Sequence, residues 1–469
     1  MDFRFIQPLA QTCFIVLLTI SVWVLTSNQS AAQDKWVRQM KTINSRIAAP
    51  FEIDERIVEA SGIRKISSQH ITLYTDVPSD SMIDELPEVF DQAIDQWCTA
   101  FGIQKNKAKN WKMRGYLIAD PSHLDKFRKA GLAPNDLPEF KAGYQRGHDL
   151  WLFLQPGQYY TRHLLIHEGT HAFMQWFHQG YGPAWYSEGM SELYGVHRWE
   201  DKKLEIGYRL RDRNEADYWG RVKRIKDERD TENALSLDDV MLIPPGAFKD
   251  VRYYAWSWAG CKFLQNHPVS KDQFSKLINQ TTLHYENFNG RFRRKLADQW
   301  PQLQRDWLIY INEIEYGYQV ERGVMTKIVE RELDQPLKKS FQLKTDHGWQ
   351  LTSISLKKGD RVMISPSGQF RIGQSIEDGE TTPWPCEANG VTLEYYQRRP
   401  LGVLLAGIMD PDQSTTENQV RGLLKPISIG NGSEFTATQN GVLCLRINES
   451  PSMLDDNDGT LEVSVEKLR

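Results

Sequence analysis

Leu164-Leu165-Ile166-His167-Glu168-Gly169-Thr170-His171-Ala172-Phe173 is the stretch on which the reading of the whole chain turns. Two histidines four apart lie one above the other on one helical face, and the glutamate after the first points into the cleft beside them. Imidazole suits zinc, and a catalytic zinc takes three protein ligands while leaving one place for water. The metal lowers that water's pKa toward neutrality, and a carboxylate within hydrogen-bond reach takes its proton as it attacks a carbonyl. Glu168 is the candidate base. Apolar Leu164, Leu165, Ile166, Ala172, Phe173, Met174, Trp176 and Phe177 suit a helix buried in a domain. Thr161 is the expected N-cap, and Gly169 is expected to leave room for a substrate backbone beside the metal.

A five-residue match also arises by accident, so the third ligand decides. A metzincin would continue with a glycine and then a histidine at the places where Met174 and Phe177 stand. Instead, a loop at Gln179-Gly180-Tyr181-Gly182-Pro183 leads into a second helical stretch that ends near Gly195. Two helices joined by so short a turn run back to back, which lets Glu188 face His167 and His171. Glu192, one turn on, can accept a hydrogen bond from the far nitrogen of a ligand histidine and fix its tautomer. The competing reading of this pair is an ordinary solvated helix face. His163 lies four before His167, but its direction diverges from Glu188, and a supporting role behind the metal is expected of it.

His167-Glu168-x-x-His171 followed by Trp185-x-x-Glu188-Gly189-x-x-Glu192-x-x-Gly195 resembles the gluzincin, or peptidase MA-like, zinc peptidases. The resemblance implies His167, His171 and Glu188 as zinc ligands and Glu168 as general base. The stretch Tyr254-Ala255-Trp256-Ser257-Trp258 is similar to the gluzincin helix that carries a tyrosine for the tetrahedral oxyanion, which makes Tyr254 a candidate electrophile. By the same resemblance, a sheet edge ahead of the metal helix pairs with extended substrate, and the strand expected over 143–153 is the candidate for it.

The chain has 469 residues, enough for two or three domains, with 40% hydrophobic and 25% charged residues. A net charge of -4 argues against a nucleic-acid partner. The short apolar run over 13–25, followed by Ser30-Ala31-Ala32, reads as a signal peptide over 1–32, so a secreted or periplasmic, cell-envelope location is expected. Contact with a membrane follows only if that segment stays uncleaved, an alternative left open because Asp2 offsets Arg4. Cys98, Cys261, Cys386 and Cys444 then remain, permitting the pairs Cys98 with Cys261 and Cys386 with Cys444 but compelling neither.

After an N-terminal extension over 33–64, strands are expected at 69–76, 113–120 and 143–153 and a helix at 83–101. The mixed charges over 208–232 read as a solvated helix and loop. Helical patterns run in pieces from about 253 to 318 and give way to short alternating runs. The expected fold is therefore α+β: a zincin-like metallopeptidase domain over 65–334, with a small N-terminal sheet and a helical C-terminal half, then an all-β sandwich over 335–469.

The last turn of the sandwich, Asn448 to Gly459, crowds oxygen donors between two strands, and carboxylates so crowded repel each other without a cation. Together with Gly359-Asp360, Ser367-Gly368 and Pro426-Ile427-Ser428-Ile429-Gly430, it resembles the galactophilic PA-I lectin domain, a galactose-binding-like sandwich. That resemblance implies a calcium site with Glu449, Asp456 and Asn457 as side-chain ligands and Met453 as a carbonyl ligand. The competing reading is a turn that uses Asp, Asn and Gly for its backbone. The expectation is an exported zinc peptidase acting on peptide or protein, whose C-terminal module takes a glycan. The rival is a non-catalytic carbohydrate-binding or adhesion protein on a zincin scaffold, and a third possibility is a hydrolase of a non-peptide amide.

Overall fold

A computed structural model describes residues 52–331, 338–377 and 380–468. The expected signal peptide, and the extension up to residue 51, lie outside the described residues. No described helix is long and apolar enough to cross a membrane. The architecture is mixed α and β with several sheets.

A short helix α1 (Glu55–Ala60), capped by Asp54, leads into a five-stranded sheet. Along the chain the sheet takes β1 (Arg64–Ser67), β2 (Ile71–Thr75), β3 (Met113–Ile118), β4 (Gly143–Arg146) and β5 (Asp149–Phe153), in the spatial order β1-β2-β3-β5-β4. The three central strands are parallel, and β1 and β4 pair antiparallel at the two edges. Helix α2 (Leu86–Ala100) follows β2, and α3 (Leu124–Lys129) follows β3. Strand residues alternate between the faces: Leu73, Leu117 and Leu152 join the core under α2, while Tyr74, Tyr116 and Trp151 join Phe127 of α3 on the other face. With both faces covered, β2 and β5 are buried at every position. The strand expected over 143–153 is in fact a hairpin, because Gly147 takes φ 60 and turns β4 back on β5. The sheet edge is therefore β4 alone.

Next come α4 (Gln158–His178) and α5 (Ala184–Gly195), the hairpin β6 (His197–Glu200) and β7 (Lys203–Ile206), then α6 (Arg221–Asp230), α7 (Arg252–Asn266), α8 (Tyr285–Lys295) and α9 (Trp300–Glu313). Every residue of α4 from His163 to Gln175 is buried. Its N-cap is Gly157; Thr161 sits one turn inside, donating from Oγ1 to the Gly157 carbonyl at 3.2 Å, which corrects the expected cap. Gly169 faces away from the cleft: a Cβ there would lie 2.5 Å from Trp97 and 2.8 Å from Phe90. Its missing side chain admits α2, not substrate. Where α5 crosses α7, a Cβ on Gly189 would meet Cys261 Sγ at 2.4 Å and the Ser257 carbonyl oxygen at 2.5 Å, so the crossing is set by glycine.

The C-terminal half sets two large sheets face to face and carries a separate two-stranded sheet. Its strands are β8 (Thr326–Lys327), β9 (Val329–Arg331), β10 (Lys338–Lys344), β11 (Gln350–Leu356), β12 (Arg361–Ser367), β13 (Phe370–Glu377), β14 (Glu380–Cys386), β15 (Asn389–Tyr396) and β16 (Arg399–Met409). Helix α10 (Thr416–Leu424) then precedes β17 (Ile427–Ser428), β18 (Ser433–Thr436), β19 (Gly441–Ile447) and β20 (Thr460–Lys467). One sheet has the order β18-β12-β20-β10-β9 and the other β15-β16-β19-β11-β8. Phe341, Val362, Leu461 and Val463 of the first pack with Leu404, Ala406, Leu443 and Leu445 of the second. Because β8 and β9 already belong to these sheets, the sandwich begins upstream of the expected boundary at 335. Helix α10, which no expectation included, places Val420 and Leu423 with Ile309 of α9, closing the seam between the halves. Cys98, Cys261, Cys386 and Cys444 are all buried free thiols.

Candidate metal centre

Helices α4 and α5, joined by the turn after Gln179, run back to back and bring His167, His171 and Glu188 together. Nε2 of His167 and Nε2 of His171 each lie 3.3 Å from one oxygen, Oε2 of Glu188. The three donor atoms fall within 4.8 Å of one another. The environment responds as a pocket for positive charge does. Burial resists charge on Glu188, but His171 and His167 overcome it and hold the carboxyl at about 2. Burial also resists charge on His167, yet hydrogen bonds to Glu188 and Glu192 lift its pKa well above the usual value.

The far nitrogens are held as well. With Nε2 of His171 turned to the cluster, its Nδ1 faces Ser187 Oγ at 3.1 Å. Nδ1 of His167 faces Glu192 Oε1 at 3.5 Å. Glu192 is itself 2% exposed and is gripped by Arg221, whose Nε and Nη2 each donate to it at 2.9 Å. Burial would push the Glu192 carboxyl up, but Arg221 and His163 hold it well below the usual range. Arg221 opens α6, within the run expected to be solvated; that expectation is corrected here, because its guanidinium is buried and also donates to Tyr160. His163 stands behind the centre with Nε2 3.6 Å from Glu192, buried, and with its pKa lowered by burial. His163, His167 and Glu192 form a second possible trio of donors. A cation there would meet the Arg221 charge, and both Glu192 oxygens are already taken, so of these two trios it is His167, His171 and Glu188 that suits a metal.

Glu168 is 7% exposed, and burial raises its pKa against the pull of His167 and His171. It lies under the sheet edge: a Cβ on Gly143 of β4 would come within 2.5 Å of Glu168 Oε1. Tyr254, near the start of α7, places its ring 6.1 Å from that of His167 and 5.7 Å from the Arg221 guanidinium. Its phenol pKa is raised by burial and by the carboxylates of Glu188, Glu168 and Glu192. Tyr181, which no sequence pattern singled out, packs its ring 5.9 Å from His171 and donates to Gln145 Oε1 of β4 at 2.6 Å. The helix turn and the sheet edge are thereby tied together on one side of the centre.

The C-terminal candidates gather in the loop between β19 and β20. Glu449 Oε2, Asp456 Oδ1 and Asn457 Oδ1 are all buried without a hydrogen-bond partner. Burial pushes the Glu449 carboxyl up to about 8, with Asn457 pulling it down and Asp456 adding to the rise. Three orphaned buried oxygens on neighbouring residues fit a hard cation, which takes oxygen ligands alone. The Met453 carbonyl accepts from the Asp456 amide at 3.3 Å, and the Met453 side chain is 49% exposed.

No family model matches the chain, and no curated protein matches it. Among solved structures it is similar to one described as "EclA N-terminal domain; PllA-like lectin", at 18% identity, a TM-score of 0.20, and coverage of 30% of this chain and 98% of that one. At that score the likeness carries no argument about fold or ligand.

Proposed function

We propose that the chain is an exported zinc-dependent peptidase of gluzincin type, with a zincin-like first domain and a lectin-like sandwich behind it. The observation that carries this reading is the convergence of two imidazole nitrogens on a single Glu188 oxygen, with the buried Glu168 beside them. His167, His171 and Glu188 would hold the zinc, which supplies acidity to a water and polarises a carbonyl. Glu168 takes the proton as the peptide carbonyl is attacked and passes it to the leaving amine. Burial raises its pKa, which strengthens it as the acceptor of the water's proton. The Tyr254 hydroxyl donates to the developing oxyanion from across the cleft. Glu192 and Ser187 keep the two imidazoles in the tautomer that leaves Nε2 free. An extended peptide adds to β4, whose Gly143 lets its backbone pass close over Glu168. The sandwich holds a calcium ion through Glu449, Asp456, Asn457 and the Met453 carbonyl and presents the enzyme to glycan.

The test is metal analysis together with a casein and peptide-library assay on the wild type and Glu168→Gln. The expected result is one zinc in each protein, with hydrolysis lost in the variant. Metal-free wild-type protein, or equal activity in the two, would remove the reading. Inactivity in both with tight glycan binding would favour a carbohydrate-binding protein built on a hydrolase scaffold.

A further inference from the structure

The loop with the three orphaned oxygens has a second side. While Glu449, Asp456 and Asn457 turn inward, their chain neighbours turn outward and touch the first half of the molecule. Ser450 Oγ donates to Glu315 at 3.0 Å, and Gln319 Nε2 donates to the Ser452 carbonyl at 3.1 Å. Arg209 Nη2 donates to Asp455 Oδ2 at 2.8 Å. Ahead of the loop, Arg446 bridges the halves, donating from Nη1 to Glu313 at 2.8 Å and from Nη2 to the Glu449 carbonyl at 2.6 Å. One short segment thus carries an inward cluster of unpartnered oxygens and an outward row of contacts on residues close by in sequence.

We propose that a divalent cation held by Glu449, Asp456 and Asn457 fastens the sandwich to the first half, so that cation binding and docking form a single linked equilibrium. The proposal rests on the cation reading of this loop given above and is independent of zinc and of hydrolysis. The physical ground is that Glu449 Oε2, Asp456 Oδ1 and Asn457 Oδ1 are buried without a hydrogen-bond partner, and a cation would satisfy all three at once. With the cation in place the backbone is pinned, and the outward side chains are presented in register. Linkage runs both ways: if the cation favours docking, docking must favour the cation by the same factor.

The experiment uses that reciprocity. Calcium is titrated by calorimetry into full-length, zinc-loaded, calcium-free protein, as wild type, Arg209→Ala, Arg209→Ala/Gln319→Ala and Glu449→Gln. Neither Arg209 nor Gln319 is among the proposed cation ligands. We expect one calcium per wild-type chain, an affinity weakened about tenfold in the double variant and less in the single, and none bound by Glu449→Gln. Calcium also raises the melting temperature of the wild type but not of Glu449→Gln. Calcium bound with unchanged affinity by both first-half variants would overturn the latch while leaving the cation site standing. No calcium bound by the wild type would overturn the site and the latch together. Zinc content and Glu168-dependent hydrolysis are read separately, so neither failure is confused with failure of the peptidase reading.

Discussion

Arg221 is the residue on which the site's electrostatics balance, since it keeps Glu192 ionised behind the metal helix. Replacing it by alanine leaves a carboxylate uncompensated in the interior, and urea unfolding is expected to show a loss of about 3–5 kcal/mol. Adding Glu192→Gln removes the stranded charge and recovers most of that stability. Zinc affinity, measured by chelator competition, stays about 10- to 100-fold down in the double variant, because Nδ1 of His167 no longer faces a carboxylate. A double variant with wild-type zinc affinity would make Arg221 merely structural. The charges dominate the run over 208–232, and Val222 and Ile225, which are buried alongside Arg221, are too few to mark an inward face there. His197 gives a second test. It stacks on Tyr159 at 4.4 Å, its Nε2 is buried and unpartnered, and burial lowers its pKa to about 3. The unfolded chain takes up a proton near the ordinary histidine pKa that the fold refuses, so between about pH 6.5 and 3 the unfolded state binds more protons. Stability therefore falls with falling pH through that window, by at most about 1.4 kcal/mol per unit from this residue. His197→Gln should flatten the slope of unfolding free energy against pH between 6 and 4; an unchanged slope would assign acid sensitivity elsewhere.

At the scale of the element, the hairpin of β4 and β5 and the pair α4 and α5 close on the centre from two sides. Gly143→Ala tests the first. The added methyl meets Glu168 at Oε1, Cγ and Cδ, side-chain atoms alone, so the carboxylate yields and the strand does not. On the proposed peptidase reading, zinc content and melting temperature hold while kcat falls about 100-fold, the cost of moving the base by an ångström. A loss of fold, or full activity, would separate β4 from the base. The helices were legible because two repeating signals coincide there: histidines at a four-residue spacing inside an apolar run, and a glutamate at the matching height after a glycine-proline turn. The hairpin was not, because the edge strand β4, Gly143-Tyr144-Gln145-Arg146 and half-buried throughout, has no apolar alternation to set it apart from β5, and Gly147-His148 turns the chain within two residues. Gly169 was misjudged for a related reason. The pattern fixes which residues share the face of His167 and His171, but only the packed fold shows that Gly169 receives Trp97.

Over the whole molecule the two halves meet in a shared apolar seam and a buried ion pair. Ile309 and Met325 pack with Trp349, Leu405, Val420 and Leu423, and beside them Arg446 donates to both oxygens of Glu313 at 2.8 and 3.0 Å. The sandwich itself was readable from alternation and turn residues, while its start was not, since β8 and β9 are too short to show a period. Helix α10, flanked by strands, carries its buried residues, Val420 and Leu423, in a single turn's worth of pattern, too little to show a helical period. A seam of this kind makes the halves melt together, and calorimetry of the full chain should show one transition. Glu313→Gln leaves the Arg446 charge buried without its carboxylate, at a cost of about 3–5 kcal/mol. Because that cost falls on contacts between the halves, it should part the endotherm into two, with each half keeping its own core. Replacing both partners, as Glu313→Leu/Arg446→Met, removes the stranded charge, fills the same space with apolar atoms, and should restore one transition. Two separate peaks in the wild type would show that the seam is a contact between independent bodies, and an undivided peak in Glu313→Gln would show that the apolar packing alone couples them.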